Sequence, residues 1–254
     1  MNRSRKTRVF NIEIQKVYSC TIKWYTTSMS NVGLLNEKPL HASLKAVYAQ
    51  PEDQLEAYVD GFVIDIVQNE LLLEIQTGNF TSIKAKLNNL LGTHRVRLIY
   101  PIAQEKWLVK LVGGNGNKTT RRKSPKKGRV EDLFWEMVRI PQLMANHNFS
   151  LEVAMIREEE VRKYIGKHKW RSKGWATVEH RLLEVVDRQL FETTADWQAL
   201  LPPKLASFTA KDLAEALGIR TQLAQRMAYC FRKANLINLI GKRGRAHLYS
   251  QTGT

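Results

Sequence analysis

The chain has little cysteine and no long apolar segment. Its 254 residues include two cysteines, Cys20 and Cys230, which lie near opposite ends. Two such thiols form neither a disulfide framework nor a thiolate zinc site within one chain. No apolar run approaches the roughly 20 residues that a membrane-spanning helix needs, and the basic start of the chain precedes no apolar signal segment. These absences predict a cytoplasmic protein without a membrane anchor.

Acidic residues are scarce relative to basic ones. The chain has 40 Lys and Arg residues against 24 Asp and Glu, which gives a formal net charge of +16 at pH 7 and an isoelectric point near 9.9. A charge of this size attracts polyanions. We therefore expect nucleic acid, rather than a membrane surface, as the partner.

Acidic residues interrupt an apolar hairpin that the sequence predicts at residues 63–76. Its first strand reads Val-Ile-Asp-Ile-Val and its second reads Leu-Leu-Leu-Glu-Ile-Gln. Continuous apolar runs predict strands that are covered on both faces, where a carboxylate loses its hydration unless a positive charge compensates it. Glu74 and Gln76 share one face of an extended strand, and Asp65 reaches that face across the turn. A divalent cation is the simplest compensation.

The segments around this hairpin predict a compact α/β unit. Residues 36–50 have helical spacing with a proline in the first turn, and residues 55–67 are extended with a bend or bulge at Gly61. Residues 82–91 predict an amphipathic helix. Two further strands are predicted, at 96–102 and 106–111. We expect this unit to span residues 33–112, after a basic segment at residues 1–32.

The hairpin and the order of these elements resemble the PD-(D/E)XK nuclease superfamily over roughly residues 36–112. The motif is an aspartate on one strand followed by Glu-x-Gln on its partner. The resemblance implies a restriction-endonuclease-like α/β domain. It implies that Asp65, Glu74 and Glu37 bind Mg²⁺ or Mn²⁺, and that Gln76 stands where most members have lysine. The activity it implies is metal-dependent hydrolysis of phosphodiester bonds in DNA.

Several of these assignments have alternatives. Glu37 is also explained as an acid that complements the dipole at a helix start. Asp60 competes with Asp65 as the strand aspartate, or is a turn residue. Lys84 either supplies the positive charge that Gln76 lacks or is a solvated helix residue. The six histidines have no close metal-binding spacing, so each is interpreted as structural or solvated. Acids at the strand ends of an ordinary α/β core also explain the hairpin.

Beyond residue 112 the sequence predicts a linker, a helical region and a winged helix. Residues 113–129 contain seven basic residues and no acid, which is typical of a basic linker. Residues 130–203 carry apolar residues at helical spacing and predict an α-helical middle region. Residues 204–254 predict a capped helix, a glycine turn, a second helix and a basic hairpin. This order resembles a winged helix-turn-helix C-terminal domain.

The winged-helix resemblance implies a DNA-binding surface. The second helix would enter a major groove, and the wing would contact phosphates or the minor groove. A role in protein contacts is the alternative. The residues that carry the DNA hypothesis are Arg220, Gln222, Arg226, Lys242, Arg243 and Arg245.

Three hypotheses follow from these patterns. The first is a metal-dependent DNA endonuclease with Mg²⁺ or Mn²⁺ as its cofactor. The second is a DNA-binding regulator with an inactive nuclease-like fold, which Gln76 in place of lysine favours. The third is an RNA-binding or RNA-processing factor. Double-strand cutting by a single-site enzyme would also call for a homodimer.

Overall fold

The computed structural model describes residues 38–112, 118–166 and 174–251. Most of the described strands form one mixed sheet of seven, ordered β1-β2-β3-β4-β6-β7 with β5 paired to β4. A smaller sheet has the order β8-β10-β9. The strands are β1 (Gln54–Val59), β2 (Phe62–Gln68), β3 (Leu71–Ile75), β4 (Arg95–Val112), β5 (Lys118–Lys123), β6 (Phe149–Tyr164), β7 (Trp175–Phe191), β8 (Ser207–Phe208), β9 (Ile237–Arg243) and β10 (Ala246–Gln251).

Short helices connect and cover these strands. They are α1 (Pro39–Tyr48), α2 (Lys84–Leu90), α3 (Phe134–Met137), α4 (Thr194–Gln198), α5 (Ala210–Leu217) and α6 (Thr221–Lys233). Two 3₁₀ helices span Val130–Leu133 and Pro141–Ala145. No helix in the described ranges is long and apolar enough to cross a membrane.

The two helices predicted around the hairpin are confirmed as α1 and α2. Pro39 occupies the first turn of α1, where its missing N–H would be unpaired in any helix. The alternation of β3 sends Leu72 into the hydrophobic cluster that contains α2, and Leu73 and Ile75 into the cluster that contains α1. The centre of the sheet is therefore covered on both faces at β3, as its continuous apolar sequence indicates.

The predicted extended stretch at residues 55–67 is two strands joined by a tight turn. Asp60 and Gly61 form this turn with φ values of 45° and 85°. Both angles are positive, as a two-residue hairpin with the right-handed twist of its strands requires. The bend predicted at Gly61 is therefore the reversal between β1 and β2.

The prediction of an α-helical middle region at residues 130–203 is wrong. Its longest elements are β6 and β7, which pair with each other in an antiparallel ladder. Every residue from Phe149 to Ile156 is buried, because β6 lies between β4 and β7. The ladder also contains three register shifts, and each such bulge changes the face to which later residues point. The spacing of the apolar residues in β6 and β7 therefore resembles that of a helix.

The sequence predicted that the α/β unit ends near residue 112, but the sheet continues beyond this residue. The two strands expected at 96–102 and 106–111 form the single strand β4, which pairs with β6 in parallel. Within the segment predicted as a basic linker, β5 pairs with β4 in an antiparallel ladder. The seven-stranded sheet therefore extends from residue 54 to residue 191.

The prediction of a C-terminal winged helix-turn-helix domain is also wrong. The expected helices and hairpin are present as α5, α6, β9 and β10, but they do not enclose a core of their own. Phe231 of α6 lies 5.3 Å from Phe134 of α3, between ring centroids. Phe134 in turn contacts Trp197, which stacks on Phe191 at the end of β7. The C-terminal elements thus share one hydrophobic cluster with the large sheet, which makes the described part of the chain a mixed α/β fold.

Candidate active site

Strands β2 and β3 separate at the acidic residues. Their ladder runs from Gln68 opposite Leu71 to Ile66 opposite Leu73 and stops there. On the other side of β2, the ladder with β1 lacks a partner for Asp65. Asp65 therefore lies between two interruptions of the sheet, and its side chain occupies the gap between β2 and β3.

A local distortion of β1 creates the first of these interruptions. Glu56, the residue that would stand opposite Asp65, has a φ of 51°. This left-handed conformation is costly for a residue other than glycine. Lys45 of α1 donates a hydrogen bond of 2.7 Å to the Glu56 carboxylate, which holds the distorted residue against the helix.

Asp65 has two hydrogen-bond donors in the gap. The N–H of Ile75 donates to Oδ2 at 2.8 Å, so the side chain replaces the main-chain bond that the parted strands lack. Nε2 of His41 lies 3.1 Å from the same oxygen. His41 comes from α1, whose buried residues Leu40 and Leu44 fix the helix on the sheet. The histidine interpreted as structural or solvated is therefore bound to a candidate metal ligand.

Glu74 is 5% exposed and forms an ion pair with Lys86. The ammonium group of Lys86 donates to Glu74 Oε1 and to the main-chain oxygen of Val63. Lys84, which the sequence suggested as a source of positive charge, is exposed. The cation beside the acidic pair is thus Lys86, one half-turn further along α2.

Gln76 is turned toward the loop between β3 and α2. Its amide nitrogen donates to the main-chain oxygens of Gly78 and Asn79 and to Ser82 Oγ, the last two at 3.1 and 3.0 Å. These bonds fix the loop that leads into α2. Gln76 therefore orders the segment that carries Lys86.

Burial and the proximity of like charges separate the pKa values of the two carboxyl groups. Desolvation, followed by the negative charge of Asp65, raises the pKa of Glu74 to about 7, although Lys86 opposes both effects. Desolvation also acts to raise the pKa of Asp65, but the hydrogen bond and charge of His41 and the N–H of Ile75 outweigh it and lower that pKa. One of the two acids is ionised at neutral pH, and the other resists ionisation.

This separation predicts opposite stability effects for two conservative substitutions. Glu74 in the folded state binds a proton between pH 4.5 and about 7 that the unfolded chain has released, so its contribution to stability falls as the pH rises through this window. Glutamine does not titrate, so the free energy of unfolding of Glu74→Gln, relative to that of the wild type, should rise by about 1–3 kcal/mol between pH 5 and pH 8. Urea unfolding at both pH values measures this difference.

Asp65→Asn is the matched comparison. The folded-state pKa of Asp65 is lowered, so this group contributes stability above its unfolded-state value of 3.8, and the contribution is lost as the pH falls through the folded pKa. Asp65→Asn should therefore destabilise the protein at pH 8. A free energy of unfolding that changes with pH in Glu74→Gln as it does in the wild type would contradict the raised pKa of Glu74.

The acidic pair fits a magnesium ion better than a metal that needs a full protein cage. Within the described ranges, no three His, Cys, Asp or Glu side chains form a group that could hold a metal ion. Mg²⁺ commonly binds one or two carboxylates and keeps several waters, and Asp65 and Glu74 would offer two carboxylates. The third predicted ligand, Glu37, lies outside the described residues. Asp60 is a turn residue, and its Oδ2 lies 2.8 Å from His94 Nε2.

The predicted DNA-binding residues of α6 lie in two environments: two are exposed to solvent and one lies over an aromatic ring. Arg220 and Gln222 are exposed at the start of the helix. The guanidinium carbon of Arg226 lies 4.7 Å from the ring centre of Trp135, which is a cation–π distance. Arg226 thus joins α6 to the segment that precedes β6.

The β9–β10 hairpin presents a second group of cations. Lys242 and Arg245 are exposed and form no ion pair with a described residue. Arg243 donates to Asp212 of α5 at 2.8 Å, so part of its charge is already compensated. Lys242 and Arg245 are therefore the hairpin cations whose charge no described residue compensates.

Comparison with known proteins places the chain in a family. Residues 38–192 match the family model described as Domain of unknown function (DUF8091), and the chain belongs to this family. The matched range contains α1, the seven-stranded sheet, both carboxylates and Lys86. The chain is also similar to an uncharacterized protein of Treponema pallidum (strain Nichols), with 28% identity over 221 residues that cover 86% of each chain. No solved structure matches the chain.

Proposed function

We propose that this protein is a metal-dependent nuclease that hydrolyses phosphodiester bonds in DNA. The observation that carries the proposal is the pair formed by half-buried Asp65 and buried Glu74 at the point where β2 and β3 part. Lys86 and His41 do not fully compensate this pair, because the pKa of Glu74 stays near 7. A divalent cation would supply the missing positive charge and favour the ionised form of both acids.

Each side chain of the site has a role in this chemistry. Asp65 and Glu74 would hold the metal, which when bound polarises the phosphodiester and lowers the pKa of water. His41 orients Asp65 and keeps it ionised, as groups that hydrogen-bond a metal ligand do. The ammonium group of Lys86 offers charge and hydrogen bonds to a developing negative charge on the phosphate. Gln76 would act through the loop that it orders.

The charge of the chain supports DNA as the substrate. The net charge of +16 is accompanied by exposed cations on β5, α6 and the β9–β10 hairpin. Such contacts position a protein on the phosphate backbone without reading sequence. We therefore propose cleavage with little sequence preference. A cytoplasmic location and a homodimeric state stay predictions of the sequence.

Plasmid cleavage tests the proposal directly. Supercoiled plasmid is incubated with the full chain and Mg²⁺, Mn²⁺ or EDTA, and the products are separated on an agarose gel. We expect nicked or linear plasmid with either metal and none with EDTA. Binding of the plasmid without metal-dependent cleavage would overturn the nuclease and leave the alternative, a DNA-binding regulator. Cleavage of RNA alone would overturn the DNA substrate.

The hairpin cations predict the salt dependence of DNA binding. Replacing Lys242 and Arg245 with alanine should lower the slope of log affinity against log salt concentration by about 2, the loss of two phosphate contacts. Fluorescence anisotropy with a labelled duplex measures this slope. The control replaces Lys204 and Lys211, two exposed lysines outside α6 and the hairpin. Equal slopes for the two double variants would remove the hairpin from the DNA-binding surface.

A further inference from the structure

A cavity of about 560 Å³ opens beside the end of β3. Its wall includes Thr77, which follows Gln76 directly, and Pro39 at the start of α1. The remaining walls come from β4, β6, β7 and the segment that leads to α3. The cavity thus adjoins the candidate active site along the chain, although neither Asp65 nor Glu74 lines it.

Aromatic and apolar groups line one part of this cavity. They include Tyr100, Ile102, Trp135 and Ile156. The indole N–H of Trp135 donates to Asp132, which fixes the ring. Because Arg226 of α6 lies over the same ring, Trp135 links the candidate DNA-binding helix to the cavity wall.

Two lysines at the cavity have charges that no described residue compensates with an ion pair. Lys38 and Lys126 line it, are exposed, and form no ion pair with a described residue. The acidic residues of the wall, in contrast, each form an ion pair or accept a hydrogen bond. Glu158 lies 2.9 Å from Lys106 and Glu179 lies 2.6 Å from Arg181, while Asp132 accepts the Trp135 N–H. The cavity therefore combines an apolar, ring-bearing wall with cations for a phosphate.

We propose that this cavity binds an unstacked nucleotide of the nucleic acid that the neighbouring site cleaves. Its volume lies within the range of small-molecule sites, about 300–1,000 Å³. A base that is paired and stacked inside a duplex does not reach such a cavity unless it is extruded. The preferred substrate is therefore a nucleic acid with an unpaired or extruded nucleotide next to the scissile bond. Cleavage next to the bound nucleotide rests on the proposed nuclease activity. Binding of the nucleotide does not require the metal.

A fluorescent base analogue tests the inference without cleavage. The probe is a DNA duplex with a short single-stranded end that carries 2-aminopurine, titrated with the full chain in EDTA. We expect the probe to bind about 10-fold more tightly than the blunt duplex of the same sequence, which is the contribution of one base stacked on an aromatic ring. The 2-aminopurine fluorescence should change on binding. Equal affinities for the two duplexes would overturn the inference.

Filling the cavity provides the second measurement. Val178 lines the cavity and is 53% exposed, so Val178→Trp adds bulk there without disturbing the core. The matched control is Leu183→Trp on the same strand, at a residue that is 45% exposed and outside the cavity wall. We expect Val178→Trp alone to remove the preference for the single-stranded end. Retention of the full preference by Val178→Trp would contradict the proposal.

The phosphate contact has a matched pair of neighbouring lysines. Lys126→Ala removes a cavity cation, and Lys127→Ala removes an exposed lysine that does not line the cavity. Lys126→Ala should weaken binding of the probe by several-fold more than Lys127→Ala, and it should weaken binding of the blunt duplex no more than Lys127→Ala does. An equal effect of both substitutions on both duplexes would place the phosphate elsewhere.

Failure of this inference and failure of the nuclease are distinguishable. If the protein prefers the single-stranded end in EDTA but cleaves nothing with Mg²⁺ or Mn²⁺, the cavity binds a nucleotide and the nuclease proposal is overturned. If it cleaves plasmid with metal but shows no preference for unpaired nucleotides, the nuclease stands and the cavity proposal is overturned.

Discussion

Replacing Asp65 with Asn or Glu74 with Gln should abolish metal-dependent cleavage, with a rate loss of about 10³-fold or more. Each substitution removes one of the two carboxyl groups that would hold the metal, while the size of the side chain is kept. Cleavage of supercoiled plasmid under single-turnover conditions, at saturating Mg²⁺, measures the loss. Rates within a few-fold of wild type for both variants would remove the acidic pair from the mechanism.

The control for this experiment lies on the same hairpin. Glu70 is an exposed residue of the turn between β2 and β3, so Glu70→Gln changes the net charge by the same amount without touching the site. It should retain wild-type cleavage. DNA binding in EDTA should be similar for all three variants, which separates loss of chemistry from loss of the substrate.

The fold is expected to survive the loss of Glu74. At pH 8 this carboxylate is ionised beside Asp65 in a buried place, and the native state is destabilised by it. A folded but inactive variant that does not lose stability in this pH range is typical of a group retained for function. An inactive Glu74→Gln variant that was also unfolded would instead indicate a structural role, so thermal unfolding accompanies the activity measurement.

Replacing Lys86 with Met should lower the cleavage rate by roughly 10²–10³-fold, the usual effect of losing a charged donor at a developing negative charge. Methionine keeps an unbranched side chain of similar length and removes the ammonium group. Lys84→Met on the same helix is the matched control and should leave the rate unchanged, because residue 84 is exposed and Lys86 alone of the two contacts Glu74.

A change in pH dependence distinguishes a role in the site from a role in packing. Lys86 lowers the pKa of Glu74 against the effects of burial and of Asp65. Without it, that pKa rises, and the rise of cleavage rate with pH should move to higher pH in Lys86→Met. A uniformly slower enzyme with an unchanged pH profile would assign Lys86 a packing role. Transfer of the lysine, by combining Gln76→Lys with Lys86→Met, would restore part of the rate if the position of the ammonium group alone decides.

Local patterns in the sequence predicted the two carboxylates of the proposed site but not the residues around them. Asp65 and Glu74 were found because carboxylates inside apolar strands are rare and costly, and this signal needs only neighbouring residues. His41 and Lys86 lie 24 and 12 positions from their partners on separate helices. Nothing in their own segments shows which strand they face. The sequence suggested Lys84 as the source of positive charge, two positions before the lysine that contacts Glu74.

The errors in the fold have the same origin. β6 is buried over both faces and its ladder with β7 is interrupted by bulges, so the period of two on which strand prediction depends is lost. The C-terminal helices and hairpin were predicted correctly as elements. Their assembly was not, because the contact of Phe231 with Phe134 joins segments about which local sequence carries no information.

The two edges of β3 differ in their hydrogen bonding beyond Leu73. On the β2 side the ladder stops, whereas on the β4 side the pairing continues and the N–H of Gln76 donates to Ile99 at 2.9 Å. The gap between β2 and β3 is therefore not a frayed strand end, because β3, which forms one side of the gap, stays paired with β4 in the middle of the sheet. A metal ion that binds in this gap would meet ligands that are already held in place. Its binding would therefore cost little conformational entropy of the protein.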